Sequence, residues 1–301
     1  MSKREKEIFK ETEVVEVYRY LHQPDKIYKK YKKCSKIKQY RDEKALEKIR
    51  NKELAILNDT TWPEFYIKPN SVLPIYKGES FMVEYPFIKG LTLGQYLSEN
   101  EISIRTCANF IKDVEKNVLS AENYIFPDIA NYCNIIISPG QEPMQKYRCI
   151  DAYSVLFDKY RRLQEGSMFI GLNMYFFNGY AAGLNKCIEA WIPNKQLDIR
   201  SIYALLYLIM CNNSKRFGNK DSFYPFTRPK DEEEYQEFLD DLNIPQGSSL
   251  YQKTLTTLSD EEPNVPIEDS LLELAELGYE FDKQDNRYCL KKKFIKGEEI
   301  W

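Results

Sequence analysis

The sequence predicts an α+β fold in which a small antiparallel β-sheet lobe with one helix precedes a larger, mostly helical lobe. In the first third of the 301-residue chain, segments rich in β-branched and aromatic residues alternate with turns. One amphipathic helical pattern interrupts these segments, and helical patterns dominate after Gly90. We therefore expect a single two-lobed domain, with residues 1–83 in the small lobe and residues 84–301 in the large lobe.

The first part reads as strands around one helix. Val14 to Leu21 has strand composition and ends at the turn Gln23-Pro24-Asp25. The following run, residues 26–31, alternates, so that one strand face carries Ile27, Lys29 and Tyr31. Residues 41–58 carry a helical stripe of Ala45, Ile49, Glu53 and Leu57. Two more strands are expected at residues 71–75 and 81–84, before Pro86 and Gly90 break the chain.

The second part reads as mostly helical. A short helix is expected at residues 93–98, and a longer one at 103–123 with Ser103 as its cap. The apolar stripe of this longer helix is Cys107, Phe110, Ile111, Val114 and Val118. A strand pair is expected at residues 135–137 and 147–150, and further helices at 198–211, 248–258 and 267–277. Residues 231–241 form an acidic segment, and the charged C-terminal tail is expected to be mobile.

Composition excludes several classes of protein. The net charge of −3 argues against a protein that coats nucleic acid. The longest apolar run, residues 204–211, is too short to span a bilayer, and the N-terminus has no signal-peptide pattern, so we expect a cytoplasmic protein without a membrane partner. The seven cysteines contain no CxxC pair and are expected to be reduced, mostly buried thiols. His22 is the single histidine, which excludes Ser/His and Cys/His nucleophile chemistry.

Two charged residues of the first part lie in apolar patterns. Lys29 shares its strand face with Ile27 and Tyr31, so it is expected to point toward the interface between the lobes and not freely into water, with Lys30 as the alternative register. Glu53 lies within the apolar stripe of the helix, so its carboxylate is expected to be buried or paired.

Besides Lys29 and Glu53, a set of polar residues lies next to two predicted strands of the second part. Asp128 and Asn134 precede the run Ile135-Ile136-Ile137, and Asp151 follows the strand that ends at Ile150. Phosphoryl-transfer enzymes of the kinase type need such a set, because one carboxylate orients the acceptor hydroxyl while an Asn and a second carboxylate hold Mg²⁺. In this ordered series the chain resembles the protein-kinase-like superfamily over residues 10–275.

The resemblance implies a role for each matching residue. Lys29 would bind the phosphates of ATP, and Glu53 would orient Lys29. Asp128 would be the catalytic aspartate, and Asn134 and Asp151 would bind Mg²⁺. The segment Glu84-Tyr85-Pro86 would be the hinge whose backbone binds adenine, and Asp198 would anchor the catalytic loop.

The chain departs from the family pattern in four places. Phe126-Pro127 stands where His-Arg is usual, and Ala152-Tyr153 stands where protein kinases have Phe-Gly. Five residues separate Asp128 from Asn134 where the common pattern has four, which leaves Asn131 as an alternative ligand. Residues 1–77 contain no glycine, and the place of the Gly-rich loop, residues 8–17, holds three glutamates that would repel phosphate if they faced it.

The sequence thus supports three functions. The first is an ATP- and Mg²⁺-dependent phosphotransferase whose acceptor, a protein or a small molecule, the sequence does not reveal. The second is a pseudokinase that serves as a nucleotide-binding scaffold or interaction module, as the departures indicate. The third is binding of anions or nucleic acid through the basic stretch from Lys26 to Lys38, although a solvated strand edge protected by lysines explains that stretch as well.

Overall fold

The structure, a computed structural model, describes most of the first half of the chain and several segments of the second. The described residues are 5–37, 40–119, 125–127, 134–140, 142–150, 152–154, 202, 205–207, 209–210, 232–258, 266–284 and 287–293. They form an α+β fold with a five-stranded antiparallel sheet and several helices, so the predicted fold class is confirmed at this level.

The first part contains five strands and one helix. In chain order these are β1 (Lys6–Glu11), β2 (Val15–Tyr20), β3 (Lys26–Lys32), α1 (Glu43–Asn58), β4 (Ser71–Val72) and β5 (Ser80–Pro86). The strands lie in the order β1-β2-β3-β5-β4, and every neighbouring pair is antiparallel. The strands predicted at 14–21, 26–31 and 81–84 are confirmed, whereas the one predicted at 71–75 is shorter than expected.

The strand register defines two faces of this sheet. Lys29 lies opposite Val17 on β2 and Val83 on β5, and Tyr31 lies opposite Phe81. We call this the inner face, because Tyr31, Phe81 and Val83 pack with Leu46 of α1 in one core cluster. The other side, the outer face, carries a group of tyrosines in which Tyr18 and Tyr28 are buried.

Helix α1 begins at a side-chain cap and buries one stripe. Asp42 accepts a hydrogen bond from the Ala45 N–H at 2.8 Å, which satisfies one of the free donors of the first turn. The buried residues of the helix are Leu46, Glu53 and Ile56. The prediction is therefore right at Glu53, but the buried residues at the two ends of the helix are Leu46 and Ile56 and not Ala45 and Leu57. The reason is that a strict four-residue spacing drifts around a helix of 3.6 residues per turn.

The second part contains the remaining elements. They are β6 (Leu91–Thr92), α2 (Leu93–Glu99), α3 (Ile104–Leu119), β7 (Ile125–Pro127), β8 (Ile135–Ile137), β9 (Tyr147–Cys149), β10 (Ala152–Ser154), α4 (Glu232–Asp241), α5 (Ser249–Leu258), α6 (Ile267–Glu276), β11 (Tyr279–Gln284) and β12 (Arg287–Lys292). Residues 202, 205–207 and 209–210 are also helical, as the pattern over 198–211 predicts. Most of the predicted elements are thus confirmed, and the acidic segment proves to be the helix α4.

Helix α3 has the cap and the stripe that the sequence predicts. Ser103 Oγ accepts the Thr106 N–H at 3.0 Å. All five residues of the predicted stripe are buried, and they belong to the large core cluster, which also contains residues of α6 and of β8 and β9. Helices α3 and α6 pack directly against each other.

The C-terminal region differs from its prediction. In place of a mobile tail, residues 279–284 and 287–292 pair as the antiparallel strands β11 and β12, here called the C-terminal hairpin, while residues 294–301 lie outside the described residues. The Tyr288 hydroxyl donates to the carbonyl oxygens of Leu97 at 3.0 Å and Asn100 at 2.6 Å, so the hairpin is bound to the end of α2. For the described part of the tail the prediction was wrong, because a sequence rich in charged residues does not reveal that Tyr288 and Leu290 are buried.

None of the helices in the described part of the chain combines the length and the apolar character that crossing a membrane requires.

Candidate functional site

Lys29 lies in the middle of β3 on the inner face, as its sequence register predicts. Its neighbours across the strands are Val17 and Val83. Its ammonium nitrogen lies 5.5 Å from the centre of the Tyr31 ring, two residues along the same strand. A cation at this distance from an aromatic ring is attracted by the electron-rich ring face. Lys30, the alternative, belongs to the outer face, where it lies opposite Glu16 and Met82.

Glu53 lies on the side of α1 that faces the sheet, and it is 8% exposed. One carboxylate oxygen accepts the Tyr31 hydroxyl at 2.7 Å, and the other accepts the Tyr85 hydroxyl at 2.6 Å. The expectation that Glu53 is buried or paired is therefore confirmed. Each oxygen has its own donor, so the carboxylate is held in one position.

Lys29 and Glu53 meet at the same two tyrosines. Burial raises the pKa of the Tyr85 hydroxyl well above its ordinary value of 10.0, and the Glu53 carboxylate raises it further, whereas the positive charge of Lys29 partly lowers it. Sequence reasoning named Tyr85 for its backbone and did not find the roles of the Tyr31 and Tyr85 hydroxyls. The available signal was that Tyr31 shares a strand face with Lys29.

The predicted hinge continues β5 and is well bonded. Glu84 lies opposite both Tyr28 and Ser71, and its carbonyl oxygen accepts the Asn70 N–H at 2.8 Å. Its carboxylate forms an ion pair with Lys26 at 2.9 Å, and the hydrogen bond in this pair raises the pKa of Lys26. A carbonyl oxygen has two lone pairs, so a ligand that donates to Glu84 would share this oxygen with Asn70.

The chain leaves the hinge through two constrained positions. Pro86 lies opposite Lys26 at the end of β5, and the Phe87 N–H donates to the Asp25 carbonyl at 2.8 Å. At Gly90 a Cβ atom would stand 2.2 Å from the carbonyl oxygen of Ile137. Only glycine fits such a close approach of two main chains. The glycine that the sequence singles out therefore lets the segment after the hinge pack against β8.

Asn134 lies directly before β8 and is 8% exposed. Its carbonyl oxygen accepts the N–H of Ile150 at 2.7 Å. The catalytic and metal aspartates, Asp128 and Asp151, lie outside the described residues, as do Asn131 and Asp198.

The described residues next to the two aspartates are paired. Pro127 ends β7, Ala152 begins β10, and these two residues lie opposite each other in an antiparallel pair. Among the residues that the structure covers, no three or more His, Cys, Asp or Glu side chains form a group that could hold a metal ion.

Two of the three glutamates in the place of the Gly-rich loop lie on the outer face, and the third, Glu13, lies between β1 and β2. Glu11 and Glu16 lie opposite each other on the outer face. Glu16 is bonded by Lys6, which lowers the pKa of its carboxyl, and Glu11 lies 3.4 Å from Lys32. Glu13 accepts the Cys34 thiol at 3.5 Å. The repulsion that the sequence suggests would require these carboxylates to face the phosphates, and the register turns Glu11 and Glu16 away.

The basic stretch is partly neutralised by carboxylates. Lys26 pairs with Glu84, Lys32 with Glu11, and Lys33 with Glu79. These pairs reduce the positive charge that the strand offers to an anion such as a nucleic-acid backbone. Lys38 lies outside the described residues.

No protein-family model matches the chain, and a search of curated proteins returns no match. The features of the chain that bear on function are a lysine and a fixed carboxylate on the inner face, the paired ends of β7 and β10, and the buried Asn134.

Proposed function

We propose that the chain is an ATP- and Mg²⁺-dependent phosphotransferase with a two-lobed protein-kinase-like fold, in which residues 1–83 form the small lobe and residues 84–301 the large lobe. The observation that carries the proposal is the register of two short strand pairs. Pro127 lies opposite Ala152, and Ile150 donates to Asn134. In the sequence, Asp128 directly follows Pro127, and Asp151 stands between Ile150 and Ala152. The two pairings therefore support a convergence of Asp128, Asn134 and Asp151.

A second observation links this region to Lys29. Helix α1, which holds Glu53, contacts β10, the strand that begins directly after Asp151. The same helix packs against the inner face that carries Lys29. This arrangement supports a single site built from the sheet, α1 and the strands β7 to β10.

In the proposed reaction, the acceptor hydroxyl oxygen attacks the γ-phosphorus of ATP. The bond from the γ-phosphorus to the β,γ-bridging oxygen breaks, and ADP leaves with those electrons. Asp128 orients the hydroxyl and accepts its proton. Lys29 holds the phosphates, while Glu53, fixed by the two tyrosine hydroxyls, keeps the surrounding side chains in place.

The candidate ligands fit magnesium by their chemistry. Mg²⁺ prefers hard oxygen donors, and Asn134 with Asp151 offers an amide oxygen and a carboxylate. When bound, the ion neutralises charge on the β- and γ-phosphates.

A pseudokinase is the second candidate, because the hydrogen bonds of Glu53 come from tyrosines. In the kinase resemblance Glu53 orients Lys29 directly. A chain whose glutamate serves mainly to fix Tyr31 and Tyr85 can bind a nucleotide without turning it over. The two candidates therefore differ in turnover and share nucleotide binding.

A thermal-shift titration with ATP, with and without Mg²⁺, tests nucleotide binding. A ligand at about 100 times its Kd stabilises the folded state by about 2.7 kcal/mol. Asp151→Asn is expected to abolish the Mg²⁺-dependent part of this stabilisation. Asp113→Asn, a change of the same kind on α3, is the matched control. Absence of stabilisation of the wild type by ATP would refute the proposal in both its active and its pseudokinase form.

Single-turnover consumption of ATP then separates the enzyme from the pseudokinase. Asp128→Ala is expected to keep ATP affinity and lose phosphate transfer, because the residue acts on the acceptor. Lys29→Met is expected to weaken both binding and transfer, whereas Lys30→Met, on the outer face, leaves both unchanged. If wild type binds Mg-ATP but consumes it no faster than Asp128→Ala, the pseudokinase assignment replaces the enzyme.

A further inference from the structure

Strand β1 contains a bulge that changes which side chains face inward. Ile8 lies opposite Tyr18, and Lys10 lies opposite Val17, so Phe9 is an extra residue without its own partner on β2. In a regular strand the alternation would place Phe9 on the inner face and Lys10 on the outer face. With the bulge, both residues face inward. Bulges near functional sites commonly redirect side chains in this way.

The ring contacts of Phe9 and the strand register of Lys10 both agree with an inward orientation. The Phe9 ring lies 6.0 Å from the ring of Phe87, which directly follows the predicted hinge, and the Arg19 guanidinium lies 5.7 Å from the Phe9 ring. Lys10 shares its row of the sheet with three inner-face residues of β2, β3 and β5: Val17, Lys29 and Val83.

The row places two lysines at a distance suited to one polyphosphate chain. Neighbouring strands are ~4.8 Å apart, so the Cα atoms of Lys10 and Lys29, two strands apart, are separated by about 9.6 Å. Val17, which lies between the two lysines on β2, is uncharged. Two flexible lysine side chains on either side of it can both reach phosphate groups bound beneath the sheet.

The acidic residues of β1 do not oppose this charge. Glu11 lies on the outer face near Lys32, and Glu7, which does face inward, forms an ion pair with Arg19 at 2.6 Å. Neither acidic residue of β1 therefore stands in the row from Lys10 to Lys29.

We infer that Lys10 and Lys29 form a two-lysine site for a polyphosphate on the inner face, with Lys10 as a second phosphate-binding residue. In this arrangement the lysine ammonium performs the task that backbone amides perform in a Gly-rich loop, which this chain lacks. The inference rests on the proposed function, since the polyphosphate it names is the phosphate chain of ATP.

Calorimetric titration with three ligands tests the inference: ATP, inorganic tripolyphosphate, which has no base, and adenosine, which has no phosphate. Lys10→Met is expected to weaken binding of ATP and of tripolyphosphate by about tenfold, the effect of losing one charge-assisted contact. Binding of adenosine stays unchanged. Lys10→Arg keeps the charge and is expected to retain affinity within about threefold. Lys30→Met removes one positive charge from the outer face of the same sheet and is the matched control.

A charge exchange within β1 tests the role of the face itself. The double variant Lys10→Glu/Glu11→Lys keeps the composition and the net charge, but moves the lysine outward and a carboxylate inward. Both positions are exposed, so we expect the fold to tolerate the change. We expect it to bind ATP more weakly than Lys10→Met does, because a carboxylate then faces the phosphates.

Each outcome of the titration has one meaning. If wild type binds ATP and Lys10→Met behaves like Lys30→Met, the inference is overturned while the proposed function stands. If wild type binds tripolyphosphate through Lys10 but does not bind ATP, the proposed function fails and an anion site remains. If wild type binds neither ligand, both are overturned.

Discussion

Replacement of Tyr85 by phenylalanine removes one of the two hydroxyls that bind Glu53. The Tyr85 hydroxyl donates to one carboxylate oxygen at 2.6 Å, and the Tyr31 hydroxyl donates to the other at 2.7 Å. Glu53 is 8% exposed, so water cannot readily replace a lost donor. A hydrogen bond to a charged group contributes roughly 1.5–3 kcal/mol, so Tyr85→Phe is expected to lower the free energy of unfolding by about 2 kcal/mol.

A double-mutant cycle shows how much of this effect belongs to the carboxylate charge. In the background of Glu53→Gln the hydrogen bond is between neutral groups, so Tyr85→Phe is expected to cost only about 1 kcal/mol. The coupling of about 1 kcal/mol is the part that depends on charge. The double variant Tyr31→Phe/Tyr85→Phe is expected to lose more than the sum of its single changes, because the buried carboxylate then keeps neither hydroxyl.

Urea unfolding followed by circular dichroism measures these differences. Tyr76→Phe is the matched control, since this tyrosine is 65% exposed and its change is expected to stay within about 0.5 kcal/mol. If Tyr85→Phe is no less stable than Tyr76→Phe, the hydroxyl does not hold Glu53 and the reasoning is refuted.

The same hydroxyl predicts a dependence on alkaline pH. Its pKa in the folded state is raised above the ordinary 10.0, mainly by burial and then by Glu53. The stabilising contribution is therefore complete below pH 10.0 and is lost as pH rises toward the folded-state pKa. The difference in free energy of unfolding between wild type and Tyr85→Phe is accordingly expected to become smaller above pH 10.0.

Three further predictions concern packing and charge at other positions of the described residues. Gly90→Ala places a Cβ atom 2.2 Å from the Ile137 carbonyl oxygen and is expected to cost roughly 1–3 kcal/mol in urea unfolding, whereas Gly247→Ala, with no atom within 4 Å, is the neutral control. Burial, and then the acidic side chains that begin α6, raise the pKa of the Glu115 carboxyl above its ordinary value of 4.5. The protonated carboxyl therefore contributes to the free energy of unfolding below pH 4.5, and this contribution is lost as pH rises through the folded-state pKa. Glu115→Gln is thus expected to raise the Tm at pH 7 but not below pH 4.5, and an equal shift at both pH values would contradict this assignment. Tyr288→Phe removes the donor to the last carbonyls of α2 and is expected to lower the free energy of unfolding by about 1–3 kcal/mol. Amide hydrogen exchange in α2 is expected to become faster, and unchanged exchange would show that the hairpin does not stabilise that helix.

Patterns that depend on neighbours along the chain were readable in the sequence. The cap at Ser103 and the buried stripe of α3 involve residues within one or a few helical turns, and both are confirmed. The alternation of β3 likewise put Lys29 on the correct face, and the apolar surroundings of Glu53 predicted its burial. Helical and strand periodicity reports which side of an element is buried, because most side chains on the buried side are apolar.

Contacts between distant parts of the chain could not be predicted in this way. The partner of Glu53 on β5 lies 32 residues away, and the carbonyl that Tyr288 binds on α2 lies 191 residues away, so no local pattern identifies either of them. The bulge at Phe9 depends on the register between β1 and β2, and that register alone decides that Lys10 faces inward beside Lys29. Periodicity determines the faces of each element, whereas the choice of partner depends on how all elements pack together, and this packing is a property of the folded chain as a whole.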